Sequence, residues 1–242
     1  SNYMMLDSST RRNLELTQTL LTKNKKGSLL GTIDKTKTAM GARLLRNYVE
    51  QPLINEKDIN DRLDAVEQIN SSMITREEIR EYLNPIYDFE RILTKISYNS
   101  ANPRDLLALK TSMEMLAPIK SLLSDYSCEL IKKINDDLDP LSDLYELIDC
   151  AICDEPPIAM KEGGILKDGY NAEVDKLRNA KTEGKTWLAE EEAKQKEATG
   201  IKNLKIKYNK VFGYYLEVTN SFKNLVPSDW TRKQTTTNSE RY

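Results

Sequence analysis

The sequence predicts a mainly α protein: a multi-helix core domain followed by a small α+β part made of one long helix and a short antiparallel sheet. Three observations carry that reading. Apolar residues recur at helical spacing through the first 150 residues. One long polar helical run follows, from Tyr170 to about Thr199. From Gly200 the period becomes two: Leu204, Ile206 and Tyr208 alternate with Lys205 and Lys207, and Tyr214, Leu216 and Val218 alternate with Tyr215, Glu217 and Thr219. Such alternation marks strands with one buried and one wet face.

Taken in order, Asp7 to Ser9 offers N-cap oxygens to a helix over Arg11–Leu20. A short helix follows in Gly27–Asp34, and a stronger one from Thr38 through Glu50, stopped by Pro52. Asn55, with Asp58 at the capping-box position, begins the helix carrying Ile59, Leu63 and Val66. Thr75 with Glu78 starts another, ending before Pro85, and Ile86, Phe89, Leu93 and Ile96 mark the next. Asn102-Pro103 is a cap followed by a first-turn proline, whose helix bends or ends at Pro118. Asp139-Pro140 opens the last helix of this half. Asp154-Glu-Pro-Pro, Gly163-Gly164 and Gly169 mark a boundary and turn-rich passage, with Ile158, Met160 and Ile165 as short-strand candidates. The long helix has sparse apolar positions and reads as a solvent-bridging arm, ended by Gly200. The domain reading is 3–154 for the helical core and 155–242 for the part with the basic sheet. Residues 1–2, Ser-Asn, read as an expression remnant, and the end, Ser239-Glu-Arg-Tyr, has no stop signal, so the chain reads as a piece of a longer protein.

Charged residues make up 31% of the chain and apolar residues 39%. No apolar run approaches the roughly 20 residues a membrane span requires. Three cysteines make no disulfide framework, and the Cys150/Cys153 C-x-x-C lacks a second ligand pair for a metal. Reduced thiols near a helix end, and a cytoplasmic compartment, are the expectation. Histidine is absent, which removes Ser-His-Asp and Cys-His catalysis. Gly184-Lys185-Thr186 resembles the end of a phosphate-binding loop, but Asn179 stands where the leading glycine belongs and the tripeptide falls inside the polar helix. Gly164 and Gly169 share that spacing, with Tyr170 in place of lysine. The chain is read as non-enzymatic, with no cofactor and no metal of its own.

Between Gly200 and Gln234 there are seven cations, Lys202, Lys205, Lys207, Lys210, Lys223, Arg232 and Lys233, against two anions, Glu217 and Asp229, in a chain of net charge −2. This is the candidate site for a polyanionic partner. Lysines on an edge strand also deter aggregation, so solubility stands beside phosphate binding as a reading. Tyr208, Phe212, Tyr214 and Tyr215 are read as packing the sheet on the helix, with base stacking as the alternative; Trp230 is open between the two.

Several segments together resemble the MutS family of bacterial DNA mismatch-recognition proteins: Met5-Leu-Asp-Ser-Ser-Thr-Arg-Arg-Asn-Leu-Glu-Leu, Thr32-Ile-Asp-Lys-Thr-Lys-Thr-Ala-Met-Gly-Ala-Arg, Gln51-Pro-Leu-Ile, Arg62-Leu-Asp-Ala-Val-Glu, Ser100-Ala-Asn-Pro-Arg-Asp-Leu, Ile158 to Gly169, Thr199 through Val218, and Arg232-Lys-Gln-Thr with Ser239-Glu-Arg-Tyr. The resemblance runs in order over nearly the whole chain. It implies the first part of a core domain with lever helices (3–154) and a clamp domain (155–242). It also implies that the mismatch-reading and ATPase domains, with their ATP and Mg, and the return half of the core belong to the parent protein. Two minor departures occur: Gly31 stands where a bulky residue is expected, and Asn220-Ser-Phe-Lys lies in a loop expected to vary. The parent is expected to be a DNA-dependent ATPase, to dimerise, and to bind other mismatch-repair proteins and no membrane. For this chain the resemblance implies a clamp that grips the backbone of double-stranded DNA without reading sequence, while the core links it to the absent domains. The alternative is a purely structural lever module with no measurable DNA binding in isolation.

Overall fold

The computed structural model describes residues 2–242, and the mainly α reading holds. The chain divides into two compact units, one ending at Lys167 and the other running Asp168–Tyr242.

In the first unit, polar side chains set most helix starts. α1 (Ser8–Asn13) begins where the Asp7 carboxylate accepts from the Thr10 N–H at 2.6 Å. It stops short of the expected Leu20. Glu15 takes positive φ, and its carboxylate accepts from the Leu20 N–H at 2.7 Å, closing a turn in place of further helix. Ser28, Thr38 and Asn55 then cap α2 (Leu29–Ile33), α3 (Ala39–Glu50) and α4 (Glu56–Ser71), accepting from the amides of Gly31, Gly41 and Asp58. α5 (Met73–Leu83) starts earlier than expected, because Ser72 is the cap and Thr75 supplies the amide it accepts from. Asp88 caps α6 (Phe89–Ser97). Asn102 and Asp105 form a full capping box on α7 (Pro103–Glu114), with bonds of 2.9 and 3.0 Å. α7 ends at Glu114, the residue whose carbonyl Pro118 can neither bond nor clear, so the proline ends this helix as expected. It falls in the first turn of the next helix, α8 (Leu116–Leu123), where a missing N–H costs no helical bond.

α9 (Glu129–Asp137) has no side-chain cap of its own. Gln68 of α4 supplies one from a distance: its Oε1 accepts from the Ser127 and Cys128 amides at 3.0 Å each, and its Nε2 donates to the Ser127 hydroxyl at 3.0 Å. α10 (Ser142–Ala151) follows Asp139-Pro140, and Leu166 bridges Ile152 just beyond its end. That isolated bridge stands where short strands are expected; Met160 lies in a single 3-10 turn.

Met113, Leu116, Ile148, Ala151 and Ile152 form the buried core of this unit, which joins α7 to α10. Ser112 is fully buried beside them but satisfied: its hydroxyl donates to the Ala108 carbonyl and accepts from the Tyr87 N–H, both at 2.8 Å. Arg43 of α3 reaches α6, bonding Asp88 at 2.7 and 2.8 Å and Glu90 at 2.6 Å. That fork holds the Asp88 carboxyl down to about 2. The departure at Gly31 also has a physical reason. A Cβ there would sit 2.1 Å from the Lys25 carbonyl oxygen, so the loop before α2 lies where a side chain would otherwise project.

The second unit begins with α11 (Ala172–Thr199), started by Asn171, whose side chain accepts from the Glu173 and Val174 amides at 3.0 Å. None of its residues is buried, and Gly200 ends it at φ +72°, a left-handed conformation that costs glycine little. β1 (Lys205–Asn209), β2 (Gly213–Thr219), β3 (Gln234–Thr235) and β4 (Ser239–Arg241) form one antiparallel sheet in the order β1-β2-β4-β3. Its core is Ile201, Leu204 and Val218, all fully buried, packed by Leu216, Phe222, Val226, Trp230 and Tyr242.

Candidate nucleic-acid interface

The hairpin register decides which side chains share a face. Lys205 pairs with Glu217, Lys207 with Tyr215, and Glu217 in turn with Arg241 of β4. One face therefore carries Lys205, Lys207, Tyr215, Glu217 and Arg241. The other carries Ile206, Leu216 and Val218 over the small core. The sheet is tied to its helix by Glu192, whose carboxylate accepts from the Ile206 N–H at 3.0 Å. That bond, with Lys196 and Lys205 nearby, lowers the Glu192 pKa.

All seven predicted cations lie exposed. Lys202 sits in the turn leading into β1, and Lys210 in the hairpin loop beyond its other end. A five-residue strand between them spans roughly 16 Å. Lys223 lies on the 3-10 segment Asn220–Leu225, and Arg232 and Lys233 precede β3. Two of the seven are committed to acids. The Lys207 ammonium is 2.6 Å from Glu217, and Arg232 is 3.6 Å from Glu240. Lys202, Lys205, Lys210, Lys223 and Lys233 make no ion pair within 4 Å among the described residues.

Glu217 is the electrostatic centre of this face. Its second oxygen takes Arg241 at 3.3 Å, and Lys207, then Arg241, hold its pKa below the usual carboxylate range against the opposing effect of burial. Arg241 also lies 4.9 Å over the Tyr215 ring and donates to the Gln234 side chain at 2.8 Å. Sequence reasoning misses Arg241, because it lies beyond the lysine-rich run and reaches the site only through β4 pairing. With it and Glu240 included, residues 200–242 hold eight cations against three anions.

The aromatics divide. Tyr215 is buried and Trp230 packs on Tyr242 at 5.8 Å between centroids. Tyr208 and Tyr214 instead remain 63% and 60% exposed, edge-on to one another at 5.2 Å, which corrects the expectation that they pack the sheet on the helix. The core at the base of the hairpin is too small to cover them. Tyr214 and Trp187 of α11 line a groove of about 380 Å³ beside the sheet. Gly184-Lys185-Thr186 lies within α11, where the Thr186 hydroxyl donates to the Thr182 carbonyl at 3.1 Å. Its backbone is helical, so its amides cannot converge on a phosphate. Cys128, Cys150 and Cys153 are free thiols. No helix among the described residues is long and apolar enough to cross a membrane.

The sequence profile described as MutS domain III matches residues 9–226. Over all 242 residues the chain is 64% identical to the DNA mismatch repair protein MutS of Lachnoclostridium phytofermentans, covering 26% of that protein. It is 57% identical over 240 residues to the protein of the same name from Ruminiclostridium cellulolyticum, and 55% identical over 240 residues to that of Acetivibrio thermocellus, covering 99% of this chain and 28% of the relative in each case. The chain thus spans little more than a quarter of the length of these relatives.

Proposed function

The chain belongs to the MutS domain III family, and from that membership we propose that it is a central piece of a DNA mismatch repair protein whose clamp grips the backbone of duplex DNA. Residues 155–242 are the clamp in this reading, and residues 3–154 the first part of the core that links it to the rest of the protein. The observation that carries the proposal is the set of five exposed, unpaired lysines around the small sheet. Ammonium groups neutralise phosphates as point charges and release condensed counterions, without reading base edges. Mismatch recognition and ATP hydrolysis, with its Mg, fall to other parts of the parent, a cytoplasmic protein that works as a dimer with further repair proteins. This chain then has no turnover of its own, and an ATPase assay on it is expected to be blank.

Titration of the chain into fluorescent duplexes of unrelated sequence tests the grip. Similar affinities in the ~10⁻⁴ to 10⁻⁶ M range usual for non-specific contacts are expected, falling steeply with salt. A folded chain that binds no duplex at 50 mM salt supports the alternative, a lever module that acts only mechanically.

A further inference from the structure

We propose that the loop joining α1 to α2, together with the link after α2, forms a second phosphate-binding surface, on the helical unit, that takes the backbone of duplex nucleic acid. The proposal does not depend on the sheet. Between Thr19 and Thr38 there are five cations, Lys23, Lys25, Lys26, Lys35 and Lys37, against the single acid Asp34. This is a local excess in a unit that is otherwise acidic, with 22 cations against 27 anions up to Lys167. All five lysines are exposed. Asp34 is already engaged: it pairs with Lys25 and accepts from the Thr36 N–H and hydroxyl at 3.0 and 2.7 Å. The other four make no ion pair within 4 Å among the described residues.

The loop is also held in shape. The Thr19 N–H donates to the Asn24 carbonyl at 2.9 Å, and the Lys23 N–H to the Thr19 carbonyl at 3.1 Å. The Lys25 carbonyl accepts from both the amide and the hydroxyl of buried Ser28, at 3.1 and 2.5 Å. Gly31 leaves the space this carbonyl occupies. The link after α2 is anchored by Arg80, which donates to the Lys35 carbonyl at 2.9 Å. A backbone fixed before binding loses less freedom on binding. Charge density favours duplex phosphates over carboxylates. A duplex carries one charge per roughly 1.7 Å and releases condensed counterions when lysines neutralise its phosphates, a gain that a sparser acidic peptide does not offer. The segment has no aromatic ring, so it is not a platform for stacking bases.

The test uses the 242-residue chain carrying Lys202→Glu, Lys205→Glu, Lys210→Glu, Lys223→Glu and Lys233→Glu, which reverses every unpaired lysine around the sheet. Anisotropy of a labelled mixed-sequence 20-base-pair duplex is followed from 25 to 200 mM salt, with and without added Lys23→Glu, Lys26→Glu and Lys37→Glu. The sheet-disarmed chain is expected to keep salt-dependent binding, and the three loop changes to flatten its slope by about 2.7, at about 0.9 per phosphate. Poly-L-glutamate is expected to displace the duplex less well, charge for charge, than unlabelled duplex does. The proposal is overturned if the sheet-disarmed chain shows no salt-dependent binding, if the loop changes leave the slope unaltered, or if polyglutamate competes as well as duplex. The last result would assign the surface, with exposed Leu21 beside it, to an acidic peptide. Failure of the sheet reading is separate: it would show as an unaltered parental affinity when the sheet lysines alone are reversed. Acetylation rates of Lys23 and Lys26 in the unsubstituted chain, with and without duplex, decide the same point without any variant, since unchanged rates overturn it.

Discussion

Glu217→Gln is expected to tighten DNA binding, although it removes two ion pairs. In the folded chain Glu217 holds Lys207 at 2.6 Å and Arg241 at 3.3 Å, and both cations lie on the face that carries unpaired Lys205. Glutamine keeps the side-chain shape and drops the charge, releasing both. If each freed cation engages one phosphate, the slope of log K against log salt steepens by about 1.8. At 0.1 M salt each contact then adds roughly eightfold to the association constant, and the pair at most roughly sixtyfold. The Glu217 and Arg241 side chains are only 16% and 23% exposed, so the cost in stability is about 1–3 kcal/mol. Anisotropy titrations of parent and variant from 50 to 200 mM salt read both quantities, and a urea midpoint confirms that the variant is folded. A folded variant with unchanged or weaker affinity and an unaltered slope refutes the reasoning, because Glu217 would then not be competing with phosphate for those cations.

Other expectations follow from the packing and the acids. Leu204→Ala opens a cavity in a sheet core of three fully buried residues and should cost about 2–5 kcal/mol. Near-ultraviolet signals from the sheet tyrosines should melt early, before the helical ellipticity of the first unit; coincident melting would contradict an independent small core. Gly31→Ala places a Cβ 2.1 Å from the Lys25 carbonyl oxygen, and the overpacking should cost about 1–3 kcal/mol in a urea titration; an unchanged midpoint would contradict the close approach. Acid should destabilise the chain. Asp34 and Asp88 are held down to about 2 from 3.8, and Glu192 and Glu217 lie below 4.5. Folded values below unfolded ones give stability that is complete above about pH 4.5 and lost as pH falls through the folded values towards 2. Urea midpoints should be flat from pH 7 to 5 and fall below that, and a rise on acidification would reverse the sign.

Local chemistry made much of the helical unit legible. Thr38, Asn55 and the Asn102/Asp105 box each announce a helix through a side chain that meets an amide three residues on. Features that depend on distant residues were not legible. α9 is started by Gln68, some sixty positions earlier. α1 stops early for a local reason that no capping pattern announces: Glu15 takes positive φ and turns its carboxylate to the Leu20 amide. The basic character of the sheet was plain from the lysine alternation. How much of that charge is free was not, since it rests on a cross-strand register that brings Glu217 between Lys207 and Arg241. The period of two placed Tyr208 and Tyr214 with the buried set, but burial depends on how far the small core extends along the hairpin, which alternation does not encode.

Lysine acetylation footprinting by mass spectrometry, with the chain saturated by duplex at low salt, tests the central claim most directly. The account predicts that Lys202, Lys205, Lys210, Lys223 and Lys233 are protected several-fold, while exposed Lys57 and Lys133, already paired with Asp61 and Asp137 on the helical unit, react at their DNA-free rates. Equal reactivity of the sheet lysines with and without duplex would contradict it.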